Sequence, residues 1–528
     1  MTPPQPVLTI LHELVHWYTM SERNRIQLLE RLAGAKSEFR LSELQEDRGR
    51  GQPLESLADA VRPHLSDLGL TIRPAGDDYV ISRRPAGDPL TISDAGRERQ
   101  LAFFQDPEVP GYIQHLVEGY IERKTTKPWD DPVVLDRMRN AILVQKRQYW
   151  KGHQVSYQKA YQVLGYLGYQ APVYLVQFEH IFWHLITRGL AKPHMRVLDV
   201  GTGPGVVPLA IIDLLGRVGA GSAEVYAIER SEEHFEAYNA IVPAAAKAKG
   251  GAVRVERPHR EDISEVTVED LPDQIDLMVF SNVLNELRDM ETDRRADLVV
   301  DLADRLAPDG TIVIVEPADL DNATAMRQTV RAIADRGLTI YSPCSFIWNT
   351  RCDPSRCWTF EQEKSIRPTR LMERLAEGAH VSYRFINTDI KYSSALLRRD
   401  TVVQHTYPVP SGAEFARFSH LHRHLDRKIN VVAALMSGNL GDRRTKVYKV
   451  CDGTPANPVY AVIPRSLRGP NRNIFRGLAY GDIVEFSRVL VRFNKDHDAY
   501  NLVILPETRI EPVGGPVGQD KRPGARST

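Results

Sequence analysis

The segment Val197–Gly205 constrains the fold of this chain more than any other feature of its sequence. An apolar run leads to Asp199, and three glycines follow at alternate positions, Gly201, Gly203 and Gly205. Such glycines allow a tight turn and let backbone N–H groups approach a ligand closely. A dinucleotide-binding fingerprint requires a glycine where Val206 stands, so the spacing does not fit that class of loop.

Strands and helices are predicted to alternate around this loop, from Met195 to about Asp400. We predict strands at 196–200, 225–229, 252–256, 275–281 and 311–316, closed by a pair near 380–388 and 393–399. Seven strands with an antiparallel end are typical of the Rossmann-like class I methyltransferase plan, an α/β doubly wound sheet. The glycine spacing also fits the loop by which such domains bind S-adenosylmethionine.

Three further polar residues follow predicted strands at positions suited to this cofactor. Glu229 ends the second strand, where an acid accepts hydrogen bonds from ribose hydroxyls; Asp262 is expected at the adenine amine and Asn282 near the methyl group. The predicted cofactor-binding residues are Asp199, Gly201, Gly203, Gly205, Glu229, Asp262 and Asn282. The alternative is a doubly wound domain that binds another nucleotide or no ligand.

Catalytic residues are not assigned by the sequence. The segment Ser281–Glu286 lacks the Asn/Asp-Pro-Pro-aromatic pattern of many amine methyltransferases and offers no obvious base. Cys344 as a nucleophile is disfavoured, because it follows the fifth predicted strand, not the fourth, and has other cysteines nearby. Whether the domain catalyses a reaction therefore stays open.

The four cysteines of the chain predict a metal site. Cys344, Cys352 and Cys357 lie within fourteen residues of one another, and Cys451 stands alone. Four thiolates are the number that a [4Fe–4S] cluster or a structural zinc ion needs. Zinc knuckles usually pair cysteines at short spacings, so the spacing here suits a cluster better. The alternatives are zinc and four buried thiols without metal.

Composition indicates an ordinary globular protein of several domains. Lys plus Arg balance Asp plus Glu, 68 against 68, so a nucleic-acid surface must be local. There is no apolar run of about 18 residues, which predicts no membrane-spanning helix. The N-terminal residues lack the features of a secretory signal, and we expect a cytoplasmic protein.

Patterning divides the 528 residues into six regions. The first has the order of helices and hairpin found in winged-helix domains, which either read nucleic acid or serve as interaction modules. The fifth has the strand order of an OB-fold, a barrel often used on single-stranded nucleic acid. The regions are a winged-helix-like domain at 1–94, a helical region at 95–190, a methyltransferase-type domain at 191–400 with a cysteine-rich insertion at 341–360, a basic helical connector at 401–444, an OB-like β-barrel at 445–513 and a disordered tail at 514–528.

A basic stretch overlaps the predicted barrel. Eight Lys or Arg residues lie between Arg417 and Lys449, against Asp426 and Asp442 only, and further arginines continue the bias to Arg476. Basic clusters are commonly solvated faces, but one that overlaps a candidate OB-fold favours RNA binding.

Several short motifs together resemble one known family. They are Leu198–Gly205, Val315–Pro317, Pro343–Cys344, Cys352–Pro354, Cys357–Phe360, Val450–Gly453 and Tyr480–Asp482. Over about residues 170–510 the chain resembles the methyltransferase-like assembly proteins of the mitochondrial small ribosomal subunit and their prokaryotic relatives. The resemblance implies S-adenosylmethionine, a [4Fe–4S] cluster on Cys344, Cys352, Cys357 and Cys451, and action on rRNA or small-subunit assembly. A non-catalytic assembly factor that binds RNA and S-adenosylmethionine without turnover is the alternative.

Overall fold

The structure is a computed structural model of the 528-residue chain. It describes residues 29, 32, 38–44, 53–65, 70–75, 78–83, 88–150, 160–287, 289–348, 352–405, 407, 409, 412–442, 444–473, 475 and 478–513. Residues 1–28 of the predicted winged-helix-like domain and the whole predicted disordered tail, 514–528, lie outside these residues. Among the described helices, none is long and apolar enough to cross a membrane.

The N-terminal unit is a small α+β domain. It contains β1 (Glu38–Arg40), α1 (Leu54–Leu65), β2 (Leu70–Ala75) and β3 (Asp78–Arg83), with antiparallel strands in the order β1-β3-β2. The helix buries Leu57, Ala58, Val61 and Leu65, the apolar positions at helical spacing, in a core of its own. A winged helix remains a prediction for this unit.

Helices precede the central sheet. In the described part of residues 94–187 they are α2 (Asp94–Gln105), α3 (Gly111–Thr125), α4 (Pro132–Trp150), α5 (Ala160–Tyr169) and α6 (Ala171–Thr187). The Ser93 hydroxyl accepts a hydrogen bond from the Gly96 amide and so caps the start of α2. The apolar sides of these helices join the core on one face of the sheet.

The central domain is a mixed sheet with helices on both faces. Its strands are β4 (His194–Val200), β5 (Ser222–Ile228), β6 (Val253–Val255), β7 (Ile275–Ser281), β8 (Leu306–Pro317), β9 (Thr339–Ser342), β10 (Glu361–Glu363) and β11 (Ile390–Arg398). Their order is β10-β11-β8-β7-β4-β5-β6, and β9 also pairs with β11. Strands β4 to β8 are parallel, whereas β11 is antiparallel to β8.

The helices of this domain are α7 (Val206–Val218), α8 (Glu232–Ala248), α9 (Thr292–Ala303), α10 (Leu320–Asp335) and α11 (Arg370–Ala376). Alternate residues of the strands enter two separate cores. In β7, Leu277 and Val279 join one core while Met278 and Phe280 join the other. Burial of both faces explains why these strands are continuous apolar runs in the sequence.

The predicted closing strand near 380–388 is wrong. Ser382–Phe385 forms a 3-10 turn in which Phe385 is buried and Tyr383 is 76% exposed. A single inward side chain does not make the alternating pattern of a strand. Besides β8, the strand β11 pairs with β9 and β10, which lie before and after the cysteine-rich insertion.

The C-terminal strands form a barrel-like sheet. They are β12 (Lys428–Leu435), β13 (Lys446–Cys451), β14 (Val459–Ile463), β15 (Ile483–Asn494), β16 (Ala499–Val503) and β17 (Arg509–Val513). The order β12-β13-β14-β16-β15 closes into a ring because β15 also pairs with β12. The strands β14 and β16 are parallel, and β17 extends the sheet beside β15.

The helical character predicted for the connector 401–444 is wrong. Its described residues include a 3-10 helix, Phe418–His424, and the whole of β12. Val431 and Ala433 face the barrel core, whereas Val432 and Ala434 face a second apolar cluster that includes Ile347 of the cysteine-rich insertion. Pairing with β13 and β15 and burial on both faces make this segment a strand.

Candidate functional site

The glycine loop connects β4 to α7 at the carboxyl end of the central sheet. Gly201 and Gly205 have φ values of +69° and +92°, which favour glycine. A Cβ atom on Gly201 would lie 2.5 Å from Val283 Cγ2, and one on Gly205 would lie 2.2 Å from Val242 Cγ2. The absent side chains therefore let the loop after β7 approach from one side and α8 from the other.

A cavity of about 1000 Å³ opens over this loop. Five of the seven predicted cofactor residues line it: Asp199, Gly201, Gly203, Glu229 and Asn282. The other two are not among its lining residues. Gly205 contacts α8, and the carboxylate of Asp262 accepts hydrogen bonds from Ser264 and from Arg230, although its neighbours Glu261 and Ile263 do line the cavity.

Two buried carboxyl groups stand at the base of the cavity. Glu229 accepts hydrogen bonds from the Gly203 amide at 2.8 Å and the Ser231 amide at 2.6 Å. Asp199 is 1% exposed, and its Oδ2 atom has no hydrogen-bond partner among the described residues. Burial, with a contribution from the Glu229 charge, raises the pKa of Asp199 to about 7. A ligand that brings N–H or O–H donors would satisfy this atom.

The loop after β7 brings one acid, Glu286, into the cavity, and a second acid, Glu316 of β8, supports that loop; the sequence assigned neither a role at the site. Asn282 adopts φ +57°, and the following 3-10 turn, Leu284–Glu286, places Glu286 on the cavity wall. Glu316 at the end of β8 accepts the Leu284 amide at 2.9 Å and so holds this turn from below. Burial raises the pKa of Glu286 to about 7 and that of Glu316 to about 8.

Glu286 is a cavity carboxyl in a loop from which the sequence indicated no obvious base. The sequence signal was present in Asn285-Glu286, but the turn that directs Glu286 inward was not predictable. Arg230 joins this acid to the segment after β6, since it lies 3.1 Å from Asp262 Oδ2 and 3.3 Å from Glu286 Oε2.

The helical region supplies the opposite wall, which sequence reasoning also missed. Residues of α4, α5 and α6 that line the cavity include Gln145, Lys146, Tyr149, Tyr169, Gln170 and Tyr174. The only sequence signal was the richness of this region in Tyr and Gln. Its residues meet the glycine loop because the helices cross the carboxyl edge of the sheet.

The four cysteines lie in one junction between the central domain and the barrel. Cys344 follows β9, Cys352 and Cys357 belong to the insertion, and Cys451 ends β13; none is in a disulfide. Burial raises the pKa of Cys344 to about 12, and Cys357 and Cys352 contribute electrostatically. Cys451 is likewise affected by Cys357 and Cys344. Within the described residues, however, no group of three or more His, Cys, Asp or Glu has the geometry to hold a metal ion.

Three cations surround these thiols. Arg327 of α10 is 3% exposed, and no carboxylate lies within 4 Å of it in the described chain; it donates to Thr359, Ser394 and Tyr480. Arg331 lies 3.5 Å from Cys352 Sγ. Lys449 is 7% exposed and interacts electrostatically with Cys357 and Cys451. The junction thus contains buried cations that form no ion pair with the described carboxylates, although the buried carboxyl group of Glu361 interacts electrostatically with Arg327 and burial raises its pKa to about 7.

Ordinary polar contacts also hold this junction together. Trp348 Nε1 donates to Asp452 Oδ2 at 3.1 Å, which ties the insertion to the barrel. On the sheet side, Arg188 at the end of α6 pairs with Asp482 at 3.1 Å. The two domains are therefore joined through residues other than the cysteines as well.

Comparison with known proteins identifies two regions of the chain. Residues 177–351 match the family model described as a methyltransferase domain. Residues 419–513 match the model described as the C-terminal domain of a domain of unknown function (DUF8157), a range that includes all of β12. No curated protein matches the chain.

Solved structures that are similar to this chain include the following three. A provisionally assigned RNA methyltransferase from Pyrococcus horikoshii is 11% identical, with 43% of this chain and 84% of that chain covered and a TM-score of 0.25. A provisionally assigned class I S-adenosylmethionine-dependent methyltransferase from Listeria monocytogenes is 9% identical, with coverages of 60% and 91% and a TM-score of 0.30. A methyltransferase from Thiobacillus denitrificans, in complex with S-adenosylhomocysteine, is 13% identical, with coverages of 42% and 90% and a TM-score of 0.25.

The domain assignment depends on the match over residues 177–351 and on the strand order around the glycine loop. The central part of the chain is a class I S-adenosylmethionine methyltransferase-like domain with a Rossmann-like fold and a mixed sheet.

Proposed function

We propose that this protein binds S-adenosylmethionine and a [4Fe–4S] cluster and acts on rRNA during assembly of the small ribosomal subunit. The observation that carries the proposal is the proximity of four cysteines from two domains to one another and to three cations. The resemblance to ribosome assembly proteins supplies the choice of rRNA. Transfer of the methyl group to RNA is the favoured activity.

The charge of the junction fits a metal–thiolate centre. Neutral thiols would leave the guanidinium of Arg327 buried without an anion in direct contact among the described residues, with the more distant carboxyl group of Glu361 as its acid, and a guanidinium does not lose its proton in proteins. Four thiolates on a cluster or a zinc ion would supply that negative charge, and Cys344, Cys352, Cys357 and Cys451 are the residues that would hold it. Since metal binding and local folding are coupled, we expect the side chains to converge when the metal binds.

The barrel supports the RNA part of the proposal. A ring of five strands with the third and fifth parallel is consistent with an OB-like barrel, whose loops bind single strands. Basic side chains border it, including Arg444, Lys446 and Arg468, and the ring of partly exposed Phe493 lies 5.1 Å from that of Tyr500. Cations along a groove and exposed aromatic rings are the contacts that proteins use for unpaired bases, and here Lys446 and Tyr500 lie at different levels of the barrel.

The second candidate is a non-catalytic assembly factor. The loop after β7, from Ser281 to Glu286, lacks the Asn/Asp-Pro-Pro-aromatic pattern typical of amine methylation, and this observation favours it. In that case the cofactor stabilises a binding module and is not consumed. The two candidates share the cavity, the junction and the basic barrel, so only turnover distinguishes them.

Mass spectrometry of rRNA separates the two. We would compare rRNA from cells with the gene, without it, and with a Glu229→Gln variant. Loss of one methylated nucleotide in both altered strains supports the enzyme. Unchanged modification with immature small subunits supports the assembly factor, and unchanged modification with normal subunits contradicts both.

Metal analysis tests the cluster separately. Protein purified without oxygen should be brown and contain about four irons per chain, and Cys451→Ser should lose most of the iron. Colourless protein with one zinc ion would replace the cluster by zinc. Protein without metal, and a Cys451→Ser variant as stable as the wild type, would contradict any metal centre at the junction.

A further inference from the structure

We propose that the helical side of the cavity forms a compartment for one unpaired nucleobase. The base would be bound through the edge that carries its N–H donor. The inference deepens the proposed function, because it depends on RNA as the partner, but it does not depend on turnover. It assigns a role to residues of α4, α5 and α6 in which the sequence showed no chemistry.

The size of the cavity leaves room for more than the cofactor. Small-molecule sites usually measure about 300–1,000 Å³, and this one has about 1000 Å³. The acids and glycines that suit the cofactor lie on the side of the sheet, at Asp199, Gly203 and Glu229. The opposite side, formed by the helices, has a different composition.

That opposite wall is aromatic and carries one cation. Tyr149, Tyr169 and Tyr174 line it, and Lys146 Nζ lies 4.0 Å from the centre of the Tyr169 ring. Lys146 also donates to the Arg384 carbonyl oxygen at 2.5 Å, so its position is set by the wall itself. Tyrosine rings beside a cation are the surface on which proteins stack a flipped or unpaired base.

An unsatisfied amide gives the compartment its chemical preference. Gln145 Nε2 donates to the Gln162 carbonyl oxygen at 2.7 Å, which leaves Gln145 Oε1 facing Gln170 Nε2 at 3.5 Å. The Oε1 atom of Gln170 is then buried and has no hydrogen-bond partner in the described chain. A buried acceptor of this kind is satisfied by a donor, and a base edge with an amine or imide N–H provides one.

The rim of the cavity offers a surface for a neighbouring nucleotide. Arg384, whose carbonyl oxygen Lys146 binds, belongs to the 3-10 turn Ser382–Phe385. The preceding residue of that turn, Tyr383, is the most exposed large apolar or aromatic side chain in the described chain. An exposed ring next to a base compartment is suited to stack the flanking base.

A thermodynamic cycle between protein and RNA tests the compartment. The probe is a short single-stranded RNA, and its partner is the same RNA with abasic sites, each titrated into the full chain with S-adenosylhomocysteine present. Gln170→Leu should weaken binding of the normal RNA by roughly fivefold to tenfold, the value of one hydrogen bond. It should leave binding of the abasic RNA unchanged.

Two controls make the result specific. Tyr161→Ala alters the same helix, α5, but Tyr161 does not line the cavity and its ring contacts Arg137; it should change neither titration. Tyr169→Phe keeps the ring and should bind as the wild type does, whereas Tyr169→Leu should weaken only the normal RNA. Thermal melting of each variant shows that the fold is intact.

The other outcomes overturn the inference in distinguishable ways. If Gln170→Leu weakens S-adenosylhomocysteine binding and not RNA binding, the wall belongs to the cofactor. If the wild type binds normal and abasic RNA equally, RNA occupies the barrel alone and the compartment takes another class of acceptor, such as a protein side chain. If the wild type binds neither RNA, the proposed function fails together with this inference.

Discussion

The cofactor cavity and the cysteine junction contain buried charge of opposite sign. At the cavity, Asp199, Glu229 and Glu316 are buried, and no Lys or Arg among the described residues forms an ion pair with them. His234 lies 3.9 Å from Glu229 but burial lowers its pKa to about 3, so it is neutral. At the junction, Arg327 and Lys449 are buried and form no ion pair among the described residues, although the buried carboxyl group of Glu361 interacts electrostatically with Arg327.

This difference indicates what each site lacks. A buried charge is costly unless it is paired or its pKa shifts. Burial raises the pKa of each cavity carboxyl group, so its ionised form is disfavoured without a ligand, and a ligand with a sulfonium and an ammonium group complements that form. The guanidinium of the junction cannot lose its proton, and in the proposed metal centre the thiolates would add to the negative charge that Glu361 can supply.

The largest expected effect is at the junction. Arg327→Met removes a buried guanidinium and its bonds to Ser394 and Tyr480, and it should lower the free energy of unfolding by about 3–5 kcal/mol. Arg336→Met on the same helix removes exposed pairs with Asp293 and Asp297 and should change little. Denaturant unfolding of the metal-loaded protein measures the free energy of unfolding of both variants. Equal losses would show that the buried guanidinium of the junction contributes no more than an exposed one.

The second effect tests the packing of the glycine loop against α8. Gly205→Ala combines a positive φ with a Cβ that would clash with Val242, and should cost about 2–4 kcal/mol. Gly250→Ala is the control, because φ is +82° but nothing lies within 4 Å of its Cβ; strain alone should cost about 1–2 kcal/mol. If the two variants melt alike, close approach of α8 is not what requires the glycine.

The third effect concerns the cofactor. Asp199→Asn and Glu229→Gln should each raise the dissociation constant for S-adenosylmethionine about 10- to 100-fold, through loss of a charged hydrogen bond. Asp262→Asn should change it less, because Ser264 and Arg230 already occupy that carboxylate. Isothermal titration compares the three. An equally large effect of Asp262→Asn would show that this acid turns toward the ligand, as the sequence predicts.

The smallest effect is a dependence on pH. Burial raises the pKa of Glu316 to about 8, so the folded cofactor-free protein holds a proton that the unfolded chain releases near its ordinary value of about 4.3. Stability from this group is present at low pH and is lost as the pH rises through about 8. Between pH 7 and pH 8, Glu316→Gln should therefore lose about 1 kcal/mol less stability than the wild type. If the free energy of unfolding changes equally with pH in both proteins, the raised pKa of Glu316 is contradicted.

Local sequence patterns were enough to predict the elements whose structure depends on one short segment of the chain. The strand before Gly201, the glycine turn and the acid at Glu229 belong to short segments with a definite periodicity and spacing. Parallel strands that are buried on both faces appear in the sequence as apolar runs. The strands β4, β5, β7 and β8 were therefore predicted close to their observed positions. The strand near 380–388 and the helical connector failed because one segment turns outward and the other pairs with distant strands.

What the sequence by itself determined is the cofactor-type domain and the chemical identity of the candidate ligands. The tertiary structure alone decided that Glu286 and Gln170 face the same cavity, and that Arg327 and Lys449 lie among cysteines from two domains. These contacts depend on how the helices that precede the sheet pack near its carboxyl edge and on how β13 packs against the cysteine-rich insertion. These are long-range packing choices, and no periodicity within a single segment encodes them.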